Sequence, residues 1–286
     1  MDTLQINNPF GVPVYFQETV KSTMDEARLL TGERSGTVIV ADEQSAGRGR
    51  SGRRWNMNKG ENLSFTIMFC YGSIEAIPRC LTLRTGLAVA CAIEDFTAFF
   101  IDSYSLPPGN GAAVAGVCMV KWPNDVMLLD REGQGRKAAG ILTEADNGTV
   151  YIGVGVNIVQ RDFPPELAHK ACSIGQVLSE ENDQNKLITE HLLEKRFILL
   201  EKILFRLFDE LENDNGKSDW RNRLEEKLYM KNRKITFVPG LPEELSNKPV
   251  PAIEGTLLGI GEEGEIRILE DTGKVVSYAN GELRFL

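Results

Sequence analysis

The sequence predicts an α+β protein, with helices packed on a mixed or antiparallel sheet and a small β-barrel at the C-terminal end. Three observations carry this expectation. Strand-like and helix-like patterns alternate along most of the chain without an internal repeat. Asn147-Gly148 separates two β-rich runs, and that dipeptide tolerates the positive φ angles of a type I′ hairpin turn. Near Tyr229-Met230-Lys231-Asn232-Arg233 the composition shifts, and the short glycine- and proline-punctuated strands beyond suggest a barrel of about fifty residues. We therefore expect two domains, 1–231 and 232–286. With 286 residues, 42% of them hydrophobic, the chain can bury a substantial core.

The elements follow in order. Ser22 to Leu30 reads as a helix capped by Ser22 or Thr23, with Asp25 and Glu26 at the positive end of its dipole. Thr37 to Ala41 is a β-branched strand, and Leu63 to Phe69 is a second. Leu83 to Phe100 is a largely apolar helix, through Leu87, Ala90, Cys91, Ile93 and Phe96. The Pro-Pro-Gly-Asn-Gly stretch within 103–115 is too rich in breakers for either element and is read as a loop or excursion. Val117 to Lys121, Lys137 to Glu144 and Val150 to Ile158 are three further strands, the first two separated by a polar turn around Arg131-Glu132-Gly133. Lys186 to Glu212 reads as the longest helix, with Leu192, Phe197, Leu200, Leu204, Leu207 and Leu211 on one face, and Trp220 is assigned to the core. Lys234 to Val238, Ile253 to Leu258, Gly264 to Leu269 and Val275 to Tyr278 form the barrel strands.

Composition limits the function. A net charge of −9, from 32 basic and 41 acidic residues, disfavours polyanionic partners. The five cysteines lack CxxC spacing and read as core thiols of a reducing compartment, with a dedicated metal site not expected. Met1 to Gln5 has no basic segment before an apolar run, and no apolar stretch approaches the ~18 residues of a membrane span. A cytoplasmic protein that does not touch membranes is expected. His169 and His191 lie away from every motif and read as surface residues.

Two constellations stand out. Gly47-Arg48-Gly49-Arg50-Ser51-Gly52-Arg53-Arg54-Trp55 concentrates positive charge on a backbone free to bend, which suits a phosphate or carboxylate. Gly47, Gly49 and Gly52 formally match G-x-G-x-x-G, but no helix opens after them, so a dinucleotide fingerprint is a poor reading. A flexible loop that orders around an anion accounts for the residues better, and a solvated basic loop is the bland alternative. The second constellation is Lys121-Trp122-Pro123-Asn124-Asp125 with Lys137-Ala138-Ala139-Gly140-Ile141-Leu142. Pro123 leaves Asn124 and Asp125 free to bond a nucleotide or Mg²⁺, while Gly140 leaves room for a ligand on the sheet. Taken singly, a Pro-Asn-Asp turn or a strand-end lysine is ordinary.

Taken together, Gly47 to Trp55, Lys121 to Val126, Lys137 to Glu144 and Gly153 to Ile158 (GVGVNI) resemble, in this order, the signature set of biotin protein ligases. The similarity runs from about residue 16 to the C-terminal Asn280-Gly281-Glu282-Leu283, which resembles that family's SH3-like domain. The resemblance implies an ATP-dependent ligase that forms biotinyl-5′-AMP and passes biotin to a lysine of a biotin carboxyl carrier protein. Its substrates would be biotin and ATP, with Mg²⁺.

By the same resemblance Lys137, Arg50 and Arg48 are catalytic, facing the biotin carboxylate and α-phosphate. Ser22, Thr23, Gln44, Gly47, Arg48, Lys137, Gly140 and Gly153 would hold biotin. Arg50, Arg53, Trp55, Asn124, Asp125, Gly155 and Asn157 would hold ATP, with Asp125 as a Mg²⁺ contact. Where the family often has Ser-Thr-Asn this chain has Ser22-Thr23-Met24, which removes a polar group. A lipoate–protein ligase is the nearest rival, but its Arg-Arg-x-Ser-Gly-Gly-Gly pattern is absent. An arginine-glycine nucleic-acid-binding module conflicts with the net acidity. The catalytic pattern begins within about twenty residues of Met1, which leaves no space for a helix-turn-helix module, so DNA binding is not expected. A homodimer is left open.

Overall fold

The structure, a computed structural model, describes residues 1–30, 32–104, 117–130, 133–178, 184–212, 219–240 and 251–284. From residue 105 the expected excursion lies outside the described residues, as do residues 131–132 of the polar turn. No described helix is long and apolar enough to cross a membrane.

A mixed eight-stranded sheet dominates. Its strands are β1 (Asp2–Thr3), β2 (Val14–Val20), β3 (Val38–Gln44), β4 (Asn62–Cys70), β5 (Cys118–Lys121), β6 (Asp125–Leu129), β7 (Gly135–Asp146) and β8 (Thr149–Asn157), in the order β1-β2-β3-β4-β8-β7-β6-β5. β2 and β3 run parallel around helix α1 (Thr23–Leu29), and every other pairing is antiparallel. The β7–β8 turn is the one that Asn147-Gly148 predicts, with φ of 49° and 77°. Three strands of this sheet escape the sequence reading, β1, β2 and β6. The last of these is short and follows β5 directly through the turn at Trp122, Pro123 and Asn124.

Side-chain alternation gives this sheet two unlike faces. On one, Leu63, Phe65, Ile67 and Phe69 of β4 sit beside Val150, Ile152, Val154 and Val156 of β8. Helices α2 (Leu81–Tyr104) and, later in the chain, Arg196–Glu212 cover this face and complete the main core. The other face carries small and polar residues.

After β8 come α3 (Ile174–Leu178), α4 (Gln184–Glu194), α5 (Arg196–Glu212) and α6 (Trp220–Glu226). The single helix expected over 186–212 is therefore two, broken at Lys195. Arg196 turns to an ion pair with Asp42 at 2.9 Å and stacks on Phe197 at the break. The apolar spacing continues across Lys195, so periodicity carries no sign of it. Trp220 packs at the rim of the core and is half-buried. His169 is exposed and His191 half-buried.

The second sheet comprises β9 (Lys234–Pro239), β10 (Ile253–Ile260), β11 (Ile266–Glu270), β12 (Val275–Tyr278) and β13 (Gly281–Arg284). It is antiparallel in the order β12-β11-β10-β9-β13, around Ile235, Phe237, Leu257, Ile266, Ile268 and Leu283. It stays open where a barrel was expected. Although consecutive in sequence, β12 and β13 lie at opposite ends, because β13 pairs with β9 and the Asn280 carbonyl accepts from Gly240 N–H at 3.1 Å. A bolt joins the sheets: the buried Trp122 donates its indole N–H to the Gly264 carbonyl at 2.9 Å.

The cysteines are less uniform than expected. Cys118 and Cys172 are buried, and burial pushes the Cys172 thiol up to about 12. Cys80 and Cys91 are half-buried, and Cys70 is exposed because it falls at the end of β4.

Candidate active site

The floor of the site is a property of strand register. Ala41, Ser64, Gly155, Gly140 and Asp125 stand opposite one another in a row across β3, β4, β8, β7 and β6. The next row is Ile39, Thr66, Gly153 and Leu142. Four small residues side by side leave a shallow trough on an otherwise side-chain-covered sheet. The indole of Trp55 lies in it: a Cβ on Gly155 would meet Cε2 at 2.3 Å, and one on Gly140 would meet Cζ3 at 3.1 Å. Gly153 is covered by Met24, whose Cε would be 3.1 Å from a Cβ there.

The arginine loop has internal order in the conformation seen, where sequence alone suggests flexibility. Trp55 N–H donates to the Gly47 carbonyl at 3.0 Å, Gly49 N–H to Arg53 at 2.7 Å, and Arg53 N–H to Arg50 at 3.1 Å. Ser51 (φ 53°) and Gly52 (φ 71°) turn the tip through left-handed backbone. Each arginine then has an assigned partner. Arg48 pairs with Asp25 at 2.6 Å and approaches Glu144 at 3.6 Å. Arg50 donates to Asn124 Oδ1 at 3.2 Å and, from the other nitrogen, to Asn280 Oδ1 at 3.0 Å. Arg53 pairs with Glu282 at 2.7 Å, and Arg54 donates to the Ser45 carbonyl at 2.8 Å. Burial lowers the Arg50 pKa against the opposing pull of Asp125, yet a guanidinium remains a cation throughout the physiological range. Beneath the loop lies a cleft of about 500 Å³, lined by Arg48, Arg50, Arg53, Leu142, Glu144 and Asn280.

Lys137 enters from β7. Its Nζ pairs with Asp125 Oδ1 at 2.6 Å and lies 5.5 Å from the Trp55 ring centre. Asn124 is locked by its amide to the Ile141 carbonyl at 2.8 Å, which aims Oδ1 at Arg50. Asn157 donates to the Cys172 carbonyl at 3.0 Å, and its buried Oδ1 has no partner among the described residues. That leaves one acceptor for a ligand to satisfy.

At the opposite end of the trough Thr23 donates its N–H and its hydroxyl to Gln44 Oε1, at 2.9 and 3.2 Å, and meets the Thr66 hydroxyl at 2.9 Å. Ser22 occupies the N-cap of α1 and is buried, but makes no side-chain capping bond.

The structure thus brings together Arg50, Trp55, Asn124, Asp125, Lys137, Gly140 and Gly155 at one end, and Thr23, Gln44 and Gly153 at the other. Gly47 lies under the strap, where a Cβ would be 3.1 Å from the Trp55 carbonyl. Arg48 and Arg53 point to acidic partners at the rim. Sequence reasoning missed Ser64 and Thr66, although the polar–apolar alternation of NLSFTIMFC was a usable signal. It singled out the motif that begins at Lys121 but gave that residue no role, and the structure sets it opposite Asp125 across the β5–β6 hairpin, where burial lowers its pKa. Nothing in the sequence could have joined Asn280 to Arg50, 230 positions apart. For a metal, Asp125 is one carboxylate at the end of the trough, and no three His, Cys, Asp or Glu side chains converge among the described residues. That donor set suits Mg²⁺ bound largely through phosphate oxygens and not a protein-only cage.

Comparison with known proteins agrees with this geometry. Residues 14–157, half of the chain, match the Biotin/lipoate A/B protein ligase family. The chain is 32% identical over 200 residues to the bifunctional ligase/repressor BirA of Bacillus spizizenii, covering 65% of this chain and 54% of that protein. It is also 32% identical over 177 residues to the biotin–[acetyl-CoA-carboxylase] ligase of Mycobacterium tuberculosis, covering 60% of this chain and 58% of that one. It therefore spans little more than half the length of these relatives. Among solved structures, the biotin protein ligase of Aquifex aeolicus in complex with biotin and ATP superposes with a TM-score of 0.68 at 25% identity, over 95% of this chain and 97% of that one. From its matched residues and its fold, the chain belongs to the biotin/lipoate A/B protein ligase family.

Proposed function

We propose that this protein is an ATP-dependent biotin ligase that forms biotinyl-5′-AMP and transfers biotin to a lysine of a biotin carboxyl carrier protein. One observation carries the reading. Arg50 and Lys137, from separate elements, converge on Asn124 and Asp125 at one end of a glycine-floored trough whose other end is closed by Thr23 and Gln44. Two cations at one end suit a carboxylate meeting a phosphate, and an amide with hydroxyls at the other suits a ureido ring.

The chemistry follows from that placement. A carboxylate oxygen of biotin attacks the α-phosphorus of ATP, a P–O–P linkage breaks, and pyrophosphate leaves. Both reactants are anions, so bringing them together and stabilising charge on the phosphoryl oxygens is the main task of the site. Arg50 and Lys137 perform it, and Lys137 exchanges its bond to Asp125 for one to the ligand. Asp125, freed from Lys137, would hold Mg²⁺ that arrives with the nucleotide and neutralises phosphate charge. The arginine loop covers the mixed anhydride and excludes water. The carrier's lysine amine then attacks the biotinyl carbonyl and AMP leaves. We assign these steps to a domain spanning 1–231, with 232–286 appended so that Asn280 and Glu282 steady the loop.

ATP–pyrophosphate exchange with Mg²⁺, run with biotin, with lipoate and with no acid, tests the reading. Exchange with biotin alone is expected. Exchange with lipoate alone would move the chain to the lipoate branch, and none with either would remove the adenylating activity.

A further inference from the structure

The trough holds two side chains of one short segment. Trp55 lies on Gly155 and Gly140, and Met57 lies beside it against Ser64. The Met57 sulfur is 3.4 Å from Ser64 Oγ and 3.7 Å from Gln44 Nε2, so it receives two donors. A thioether is a weak acceptor, and Ser64 is almost completely buried. Two strong donors are thus held on an atom that satisfies them poorly, and each would gain from a carbonyl oxygen in the same place.

The donor assignment is fixed by the neighbouring bonds. Gln44 cannot present its oxygen to this position, because Oε1 accepts both Thr23 bonds, which leaves the NH₂ group facing Met57. The segment also has somewhere to go. A cavity of about 350 Å³ lies between it and residues 160–164, with Gln44, Trp55, Met57, Gln160 and Phe163 among its walls.

We propose that Met57 is a built-in occupant of the ring end of the trough, displaced by substrate, and that Ser64 is a substrate-binding residue that joins Gln44 in donating to the ring carbonyl. This rests on the biotin reading, in which that carbonyl is the ureido oxygen. Met57 keeps the two donors oriented and dry, and its exit into the neighbouring cavity precedes or accompanies binding. Part of the intrinsic affinity is spent on that exit, so a chain without the side chain binds faster.

The test is the kinetics and equilibrium of biotin binding to the full chain, wild type against Met57→Ala, Met57→Leu and Ser64→Ala. Met57→Ala is expected to raise the association rate about 5-fold with dissociation unchanged, from the lost burial of part of one side chain. Met57→Leu, which keeps the bulk, should associate like the wild type. Ser64→Ala should leave association alone and speed dissociation by about 2- to 10-fold, the range for one hydrogen bond. Biotin binding that is identical in wild type, Met57→Ala and Ser64→Ala would overturn the proposal while leaving the biotin reading intact. Faster association in Met57→Ala with an unchanged Ser64→Ala would keep the occupant and remove Ser64 as a contact. A wild type that fails to bind biotin would take down both readings. Met57 is partly exposed, so its variants remain informative even if Ser64→Ala does not fold.

Discussion

The two faces of β4 and β8 are made from the same strands, and both are buried, but by different things. One face packs Phe65, Ile67, Val154 and Val156 under two long helices, and its burial holds the fold together. The other carries Ser64, Thr66, Gly153 and Gly155, and is covered by Met24, Trp55 and Met57 from a helix end and a loop. A helix layer cannot leave without unfolding the protein, whereas a loop layer can be exchanged for a ligand. Small residues on that second face are what make the exchange sterically possible.

The largest expected effect separates the faces by stability. Phe65→Ala removes a fully buried ring from the helix-covered face and should destabilise the protein by about 3–5 kcal/mol, read as a fall in the denaturant midpoint. A fall under about 1 kcal/mol would mean that this face is not the main core.

The corresponding change on the other face should appear in rate. Lys137→Ala removes a half-exposed cation from the end of the trough, so the unfolding midpoint should barely move. Pyrophosphate exchange should fall about 10²- to 10³-fold, the range seen when one donor to a developing oxyanion is lost. Unchanged exchange would take Lys137 out of the mechanism. Arg50→Ala tests retention as well as rate, since its bonds to Asn124 and Asn280 tie the loop to both sheets. The variant should release biotinyl-5′-AMP, which would be measured as indiscriminate labelling of bystander lysines. A variant that retained the adenylate as the wild type does would remove the role of Arg50 in holding the loop closed.

Gly155→Ala sharpens the comparison at a single methyl group. The added Cβ would meet the Trp55 ring at 2.3 Å, so the strap must lift and the floor rises under the ligand. The backbone here is ordinary strand, so stability should hold while KM for biotin rises about tenfold or more. Val154→Ala, one residue away on the other face, should do the reverse, losing stability with KM unchanged.

This division also explains what could be read from sequence. The helix-covered face announces itself through periodicity, as do the β7–β8 turn through Asn147-Gly148 and the arginine loop through its composition. The trough is harder to see. Gly140 and Gly155 become a floor only when β7 and β8 are paired in register, and Ser64 joins them only through β8. Gly140 was legible as room for a ligand and family resemblance supplied Gly155, yet Ser64 and Met57 match no motif, and their proximity is created by the loop that carries Trp55 and Met57 over the sheet. The break at Lys195 was invisible for a different reason, because both helices keep the same apolar spacing and bury it in one core. The open end of the second sheet depends on where Asn280 goes, a long-range choice no local pattern records.

The smallest expected effect concerns the tie between the loop and the second sheet. Burial, the largest single influence, would raise the Glu282 carboxyl, but the hydrogen bond from Arg53 together with the positive charges of Arg53, Arg284 and Lys121 outweighs it and holds the group below the ordinary carboxylate range. A depressed carboxylate contributes stability that is fully present above its unfolded value, about 4.3, and that is lost as pH falls through the lower folded value. Both side chains are substantially exposed, so the pair should be worth about 0–1 kcal/mol at neutral pH and less at high salt. Arg53→Ala should therefore lower the midpoint by an amount near the limit of detection at pH 7, and by nothing measurable once the medium is acidic enough to protonate Glu282 in the folded protein. Its effect on function should be larger than its effect on stability, because the same bond steadies the covering loop. The expected sign is a faster escape of biotinyl-5′-AMP in Arg53→Ala, smaller than in Arg50→Ala, and reproduced by Glu282→Gln. If Arg53→Ala leaked while Glu282→Gln did not, the arginine would be acting on the ligand directly and not through the second sheet.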